Sequence, residues 1–315
     1  MRKRLIGLVL VVASVSLLAQ VPQATSLFEQ GRYDEAKKML TPLHDDPQAL
    51  FLLGRIAIAE GDSEQAAALL EKAIAKKPGV AEYHFYLGDA YGDLAQHASI
   101  FRQPGYATKT KNAFERAVAL DPNYINARFA LIDYFIIAPG FLGGSEEKAI
   151  KQAAEIQKRD AFQGHRAMAR IYTREKKLDL ARNEFLAAVR EQPGSARAHS
   201  SLASFYALND KNYKGAFDEI DAAIAADPGY MPAWFRLGQI AAVSISNLPR
   251  GEEALKKYLT YQPKGDEPTL ASAYYYLGTI YEKQGHKNEA RQSYTNALRF
   301  APKDKALLDA MKRVS

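Results

Sequence analysis

Residues 274–302 read YYYLGTIYEKQGHKNEARQSYTNALRFAP. Leu277 and Tyr281 stand four apart, on one face of a helix, with Gly278 small beside them. Gly285 marks a turn, and Ala290, Tyr294 and Ala297 carry a second helical stripe that ends before Pro302. The stretch therefore predicts two amphipathic helices, A and B, packed antiparallel. Gly278 and Ala290 are small where A presses on B, and Ala297 is small where B meets the next A. Proline cannot continue a helix, so Pro302 closes the unit.

The same grid fits Leu50, Leu53, Gly54, Gly61, Ala66, Leu70, Ala73 and Pro78. It returns at Trp234, Leu237 and Gly238, and at Tyr172, Ala181, Phe185, Ala188 and Pro193. The small landmark of helix A falls at residues 54, 88, 132, 169, 203, 238 and 278. These residues resemble the tetratricopeptide consensus from about Ala24 to Pro302, whose period is about 34 residues. The resemblance implies an all-α fold, a right-handed α-solenoid of about eight helical hairpins spanning 20–302. Each repeat then needs only its neighbours, so a chain of 315 residues forms without one large core. Residues 303–315 carry Leu307, Leu308 and Met311 at helical spacing and read as a C-terminal capping helix.

Two landmark steps are long and place insertions near 92–108 and 138–145. The first, with His97, Phe101, Arg102 and Tyr106, is either a surface loop with an extended helix end or a flap over a groove. The second, Ala138-Pro139-Gly140-Phe141-Leu142-Gly143-Gly144-Ser145, ends on a helix N-cap followed by Glu146 and Glu147. Its glycines serve a structural turn, or hold an anion at the helix start, which the adjacent glutamates oppose. Residues 113–149, with this turn, are similar to a group of exported bacterial tetratricopeptide proteins. That likeness implies architecture and location, not chemistry.

Arg2-Lys3-Arg4 precedes an apolar run from Leu5 to Leu18, then Ala19. This reads as a signal peptide over 1–19, cleaved after Ala19. The run would make a helix of about 21 Å, short of a hydrocarbon core of about 30 Å. The expected location is the periplasm, with no integral membrane span after cleavage. An uncleaved signal anchoring the chain in the inner membrane is the alternative. The net charge is +6, and three of those charges lie in that leader, so the remainder does not point to nucleic acid.

The chain has no cysteine, which excludes thiol chemistry and Cys-ligated metal. The histidines show no H-E-x-x-H spacing, and no P-loop or nucleophile-elbow motif occurs. His84, His165 and His199 share the early helix-A position that Trp234 and Tyr274 hold elsewhere, and read as packing residues. The expectation is therefore no enzyme, no cofactor and no metal.

In the tetratricopeptide family the A helices line the concave wall. The resemblance thus assigns Phe51, Phe85, Phe129, Arg166, Phe235 and Tyr275 to one inner position. It assigns Arg55, Asp89, Asp133 and Arg170 to the next turn, with Arg174 and Arg197 beside Arg166 and Arg170. The groove expected is aromatic at both ends, with an acidic pair at Asp89 and Asp133 and a basic centre of four arginines. An anion or carboxylates must balance that centre, or the arginines pair with glutamates within the chain while the aromatics pack on adjacent helices. The function implied is a protein–protein interaction scaffold that binds an extended peptide or a partner's surface. A glycan or cell-wall polymer stacked on the aromatics is the alternative ligand, and an enzyme comes third.

Overall fold

The computed structural model describes residues 20–264 and 267–314. The signal-peptide reading falls on 1–19, outside the described residues. Among those residues the chain forms seventeen α-helices and no strand, an all-α solenoid. It divides into two compact units, residues 1–122 and 123–315.

The first unit contains three hairpins. These are α1 (Gln20–Glu29) with α2 (Tyr33–Leu40), α3 (Pro47–Ala59) with α4 (Ser63–Lys76), and α5 (Ala81–His97) with α6 (Gln103–Leu120). The sequence grid explains the packing atom by atom. A Cβ on Gly54 would lie 2.8 Å from Leu70 Cγ, and one on Gly88 would lie 2.4 Å from Phe114 Cε1. Each landmark glycine is a hole in helix A that a large helix-B side chain fills. Helix starts are set by side-chain caps: Asp46 accepts from the Gln48 and Ala49 amides, and Asp62 from that of Gln65.

Residues 92–108, read from sequence as an insertion, lengthen α5 and α6 themselves. The added turns are held by the Tyr91 and Tyr106 rings, 6.2 Å apart, and leave Ile100 and Phe101 exposed at the tip.

The second unit contains five hairpins. They are α7 (Ile125–Ile137) with α8 (Glu146–Gln157), α9 (Ala161–Arg174) with α10 (Leu178–Glu191), and α11 (Ala196–Phe205) with α12 (Tyr213–Ala226). Then come α13 (Met231–Ser244) with α14 (Leu248–Tyr258), and α15 (Leu270–Gln284) with α16 (Lys287–Leu298). A last helix, α17 (Lys305–Arg313), buries Leu307 and Ala310 against the final hairpin. The glycine holes recur: a Cβ on Gly238 would meet Leu255 Cγ at 2.2 Å, and one on Gly278 would meet Tyr294 Cε1 at 2.5 Å.

Several turns from helix A to helix B place a left-handed residue. Gly31, Gly61 and Gly285 supply it at φ 69°, 68° and 84°. The matching position is Lys176 in one repeat and the β-branched Ile245 in another, at φ 60° and 53°. Those turns carry strain that glycine would avoid.

In the loop at 138–145 the glycines are consumed by geometry. A Cβ on Gly144 would lie 1.7 Å from the Ala138 carbonyl oxygen, and Gly143 has φ 93°. Tyr134 Oη donates to the Leu142 carbonyl at 2.8 Å, and Ser145 caps α8 by accepting from the Lys148 amide. This favours the structural reading of the turn.

The histidines tie each helix A to the end of the helix B before it. Nε2 of His84 lies 3.1 Å from the Pro78 carbonyl, and Nε2 of His199 lies 2.9 Å from that of Pro193. Trp234 Nε1 donates to Pro228 in the same way at 3.0 Å. His165 instead turns to two carboxylates, with Nδ1 2.7 Å from Glu184 and Nε2 3.3 Å from Glu191. Burial opposes its charge, but the two glutamates outweigh burial and raise its pKa.

Candidate functional site

The second unit encloses a cavity of about 380 Å³ against its A helices. Phe129 from α7, Arg166, Arg170 and Arg174 from α9, and Arg236 from α13 line it. These side chains meet because successive A helices lie side by side, with their glycine or alanine faces turned to helix B. Phe185 and Phe205 add apolar wall, and Thr173, Ser201, Ser204 and Asn209 add hydroxyl and amide groups. Asn209 belongs to a π-helical turn, residues 206–210, that continues α11. Such turns arise where a helix gains one residue, and they re-aim side chains.

The guanidinium groups are held differently. Arg166 and Arg170 both lie over the Phe129 ring, at 5.5 and 5.9 Å. Arg170 is clamped by Asp133, with Nε donating to Oδ1 at 2.6 Å and Nη2 donating to Oδ2. Arg166 Nη1 donates to Gln163 Oε1 at 2.7 Å. Arg236 donates to Gln239 Oε1 at 2.8 Å and has no ion pair among the described residues. Burial, and then the Arg166 charge, hold its pKa below the usual guanidinium value. Arg174 is exposed and makes no hydrogen bond or ion pair among the described residues. The cavity thus concentrates positive charge around an aromatic floor, with one clamped carboxylate beside it.

Of the basic centre read from sequence, Arg166, Arg170 and Arg174 come together and Arg197 does not. Arg197 packs over Phe162 at 4.5 Å and pairs with Asp160 at 3.3 Å. Of the expected acidic pair, Asp133 clamps Arg170 in the second unit and Asp89 lies in the first unit. Phe235 is 2% exposed and Phe51 9% exposed, so both are core residues, each covered by a guanidinium, Arg236 over Phe235 and Arg55 over Phe51. Tyr275 packs on Tyr276 and Tyr294 and borders a smaller cavity of about 230 Å³ with Thr269 and Asp304. Phe85 packs on Tyr86 and Phe114.

The sequence register does not assign Arg236 or Phe185 to the wall. Arg236 stands one residue past the inner position that Phe235 fills. Phe235 rotates into the core against Tyr258, and Arg236 takes the wall. Phe185 comes from a B helix, which the family register does not assign to the wall. Neither carries a local signal.

In the first unit, Arg55 on α3 and Asp89 on α5 hold the equivalent inner position of successive repeats. Asp89 makes no hydrogen bond or ion pair among the described residues, and burial pushes its pKa up to about 7. Ionising Asp89 therefore costs the folded state, and the cost grows as pH rises from its ordinary value near 3.8 through about 7. His165 works in the same direction, since its contribution is full below its ordinary value of 6.5 and is lost as pH rises through the raised one. Asp89→Asn should raise the melting temperature at about pH 8 and change it little at about pH 4. His165→Gln should lower it most at about pH 5 and least at about pH 9. Melting curves across that range check both, and parallel profiles for wild type and variant would exclude the assignment.

Family models of the tetratricopeptide repeat match residues 27–87, 166–231 and 271–304. The chain belongs to the tetratricopeptide-repeat family. The class this defines is an all-α solenoid of tetratricopeptide repeats. A mouse relative, superkiller complex protein 3, is 25% identical over 289 residues, which is 87% of this chain and 17% of that protein. The chain thus spans about one sixth of that relative's length. Human IFIT1, solved as a dimer with m7Gppp-AAAA, has a TM-score of 0.50 at 18% identity, covering 92% of this chain and 71% of that one. A tetratricopeptide protein from Parabacteroides merdae has a TM-score of 0.48 at 15% identity, covering 85% of this chain and 98% of that one. These structural likenesses concern the fold. Among the described residues, no helix is long and apolar enough to cross a membrane.

Proposed function

We propose that the chain is a periplasmic adaptor whose second unit holds an acidic extended peptide, or an acidic segment of a partner's surface. The observation that carries this reading is the cavity of about 380 Å³, where Arg166, Arg170, Arg174 and Arg236 surround Phe129. Arg174 and Arg236 have no carboxylate on them among the described residues, and a carboxylate would supply the missing acceptors. Guanidinium–carboxylate bonds are charge-assisted and are worth about 1.5–3 kcal/mol each where water is excluded. The phenylalanines would bury the apolar stems of the same segment. A stacked glycan finds less support, because Phe51 and Phe235 are buried.

A labelled tetraglutamate peptide should bind the full chain saturably, weaken as salt is raised, and exceed a tetraserine control. Equal binding of the two peptides at low salt would reject the acidic ligand. The location rests on the basic leader and the short apolar run of 1–19. The exported chain should have an intact mass beginning near Gln20. A mass retaining Met1, found in the membrane fraction, would reject cleavage.

A further inference from the structure

One hairpin of the first unit ends in an apex that neither core packing nor turn chemistry explains. The Arg102 amide donates to the Ser99 carbonyl at 2.8 Å and closes a four-residue turn between α5 and α6. Ile100 and Phe101 fill its two central positions, where glycine, proline, asparagine, aspartate and serine are the usual residues. Both side chains stand in solvent, Ile100 75% exposed and Phe101 92%. Helix α5 runs nine residues past Gly88, whereas α3 runs five past Gly54. The extra turn of helix carries the apex about 6 Å beyond the turn of the preceding hairpin.

The charge around the apex is of one sign. Residues 94–114 contain no aspartate or glutamate and carry Arg102, Lys109 and Lys111. Arg102 Nη2 donates to Tyr106 Oη at 2.6 Å, and the guanidinium lies 5.3 Å over the same ring. Lys109 Nζ lies 4.8 Å over the ring of Tyr91, which packs on Tyr106. The tyrosine pair thus seats two cations behind the apex. Two carboxylates at its base are already engaged: Asp93 accepts from Ser63 Oγ at 2.5 Å and lies 3.4 Å from His97, and Glu71 accepts from the Tyr91 hydroxyl. The loop at Phe141 makes the contrast. Phe141 is 83% exposed as well, but Glu146 and Glu147 follow it.

We propose that the apex at residues 98–102 docks on a bilayer surface rich in anionic phospholipid. Ile100 and Phe101 enter the boundary between headgroups and acyl chains, and Arg102 pairs with a lipid phosphate beside them. Lys109 stands about 10 Å further back along α6 and attracts the surface through space, within a Debye length of about 10 Å near 0.1 M salt. Two side chains at a turn offer too little area for a stable protein interface, which takes about 800 Å² from each partner. A fluid bilayer accepts a point of that size, in a weak and reversible contact. The arginine cavity of the second unit plays no part in it.

The chain has no cysteine, so a single introduced one can be labelled alone. Ser99→Cys in the full chain, carrying an environment-sensitive fluorophore, is titrated with vesicles of phosphatidylcholine, pure or with about one third phosphatidylglycerol. A label there reports the apex itself, separately from the apolar run at 5–18. Its emission should shift to the blue with the anionic vesicles, saturate, and return as salt is raised, and should not move with the neutral ones. Adding Phe101→Ser or Arg102→Glu should weaken the affinity read at the label by at least about fivefold. Phe141→Ser should leave it unchanged, and none of these changes should alter tetraglutamate binding. All three positions are exposed, so the variants should melt with wild type. The proposal is overturned if the label ignores anionic vesicles, responds equally to neutral ones, or responds equally when Phe101 is serine. A shift that grows with protein concentration in the absence of vesicles also overturns it, and assigns the apex to a second copy of the chain.

Discussion

Gly238→Leu is expected to lower the melting temperature of the chain by roughly 5 °C or more, since overpacking typically costs about 1–3 kcal/mol. Even a Cβ at this position would sit 2.2 Å from Leu255 Cγ and 2.7 Å from its Cδ1. Leu255 is fully buried and belongs to one core cluster with Phe235, Tyr258 and Ile280. Helix α13 must therefore move off α14. In a solenoid that displacement passes to the repeats on either side, since each buries its faces on its neighbours. Gly105→Ala is the control, because nothing lies within 4 Å of a Cβ at that residue. The comparison is made by calorimetry or circular dichroism. A Gly238→Leu protein that melts with wild type would mean that α13 does not pack on α14 through this glycine.

Arg174→Glu is expected to weaken tetraglutamate binding by at least about tenfold while leaving the melting curve almost unchanged. Arg174 is exposed and makes no bond to the rest of the chain among the described residues, so reversing its charge removes no internal partner. Its position on the cavity wall puts the new carboxylate where the ligand's own charge would go. Arg170 suits this test less well, because changing it also releases Asp133. Titration by fluorescence anisotropy at two salt concentrations measures the effect. Unchanged affinity in the folded variant would remove the cavity as the acidic-peptide site and shift attention to the exposed tips at Phe101 and Phe141.

The hairpins were legible from one repeat outward, because the marks that make them are local. Gly278 and Ala290 are small and four-residue spacing puts Leu277 and Tyr281 on one face, which follows from helix geometry alone. The prolines after the B helices, the left-handed glycines at 61 and 285, and the early helix-A histidines also act within a few residues of where they stand. The tilt of each A helix and the rotamers on its inner wall are not local. Phe235 and Phe129 share a repeat position, yet Phe235 turns inward onto Tyr258 while Phe129 stays beneath two guanidinium groups. Arg197 and Arg170 were read as one cluster. Asp160, which also caps α9, draws Arg197 away, and Asp133 holds Arg170 on the wall. The periodic pattern is enough to say which residues face helix B, since a wrong choice there leaves a clash or a hole. Which charges meet in the cavity is decided by packing between repeats, where partners lie thirty to forty residues apart and no spacing rule connects them.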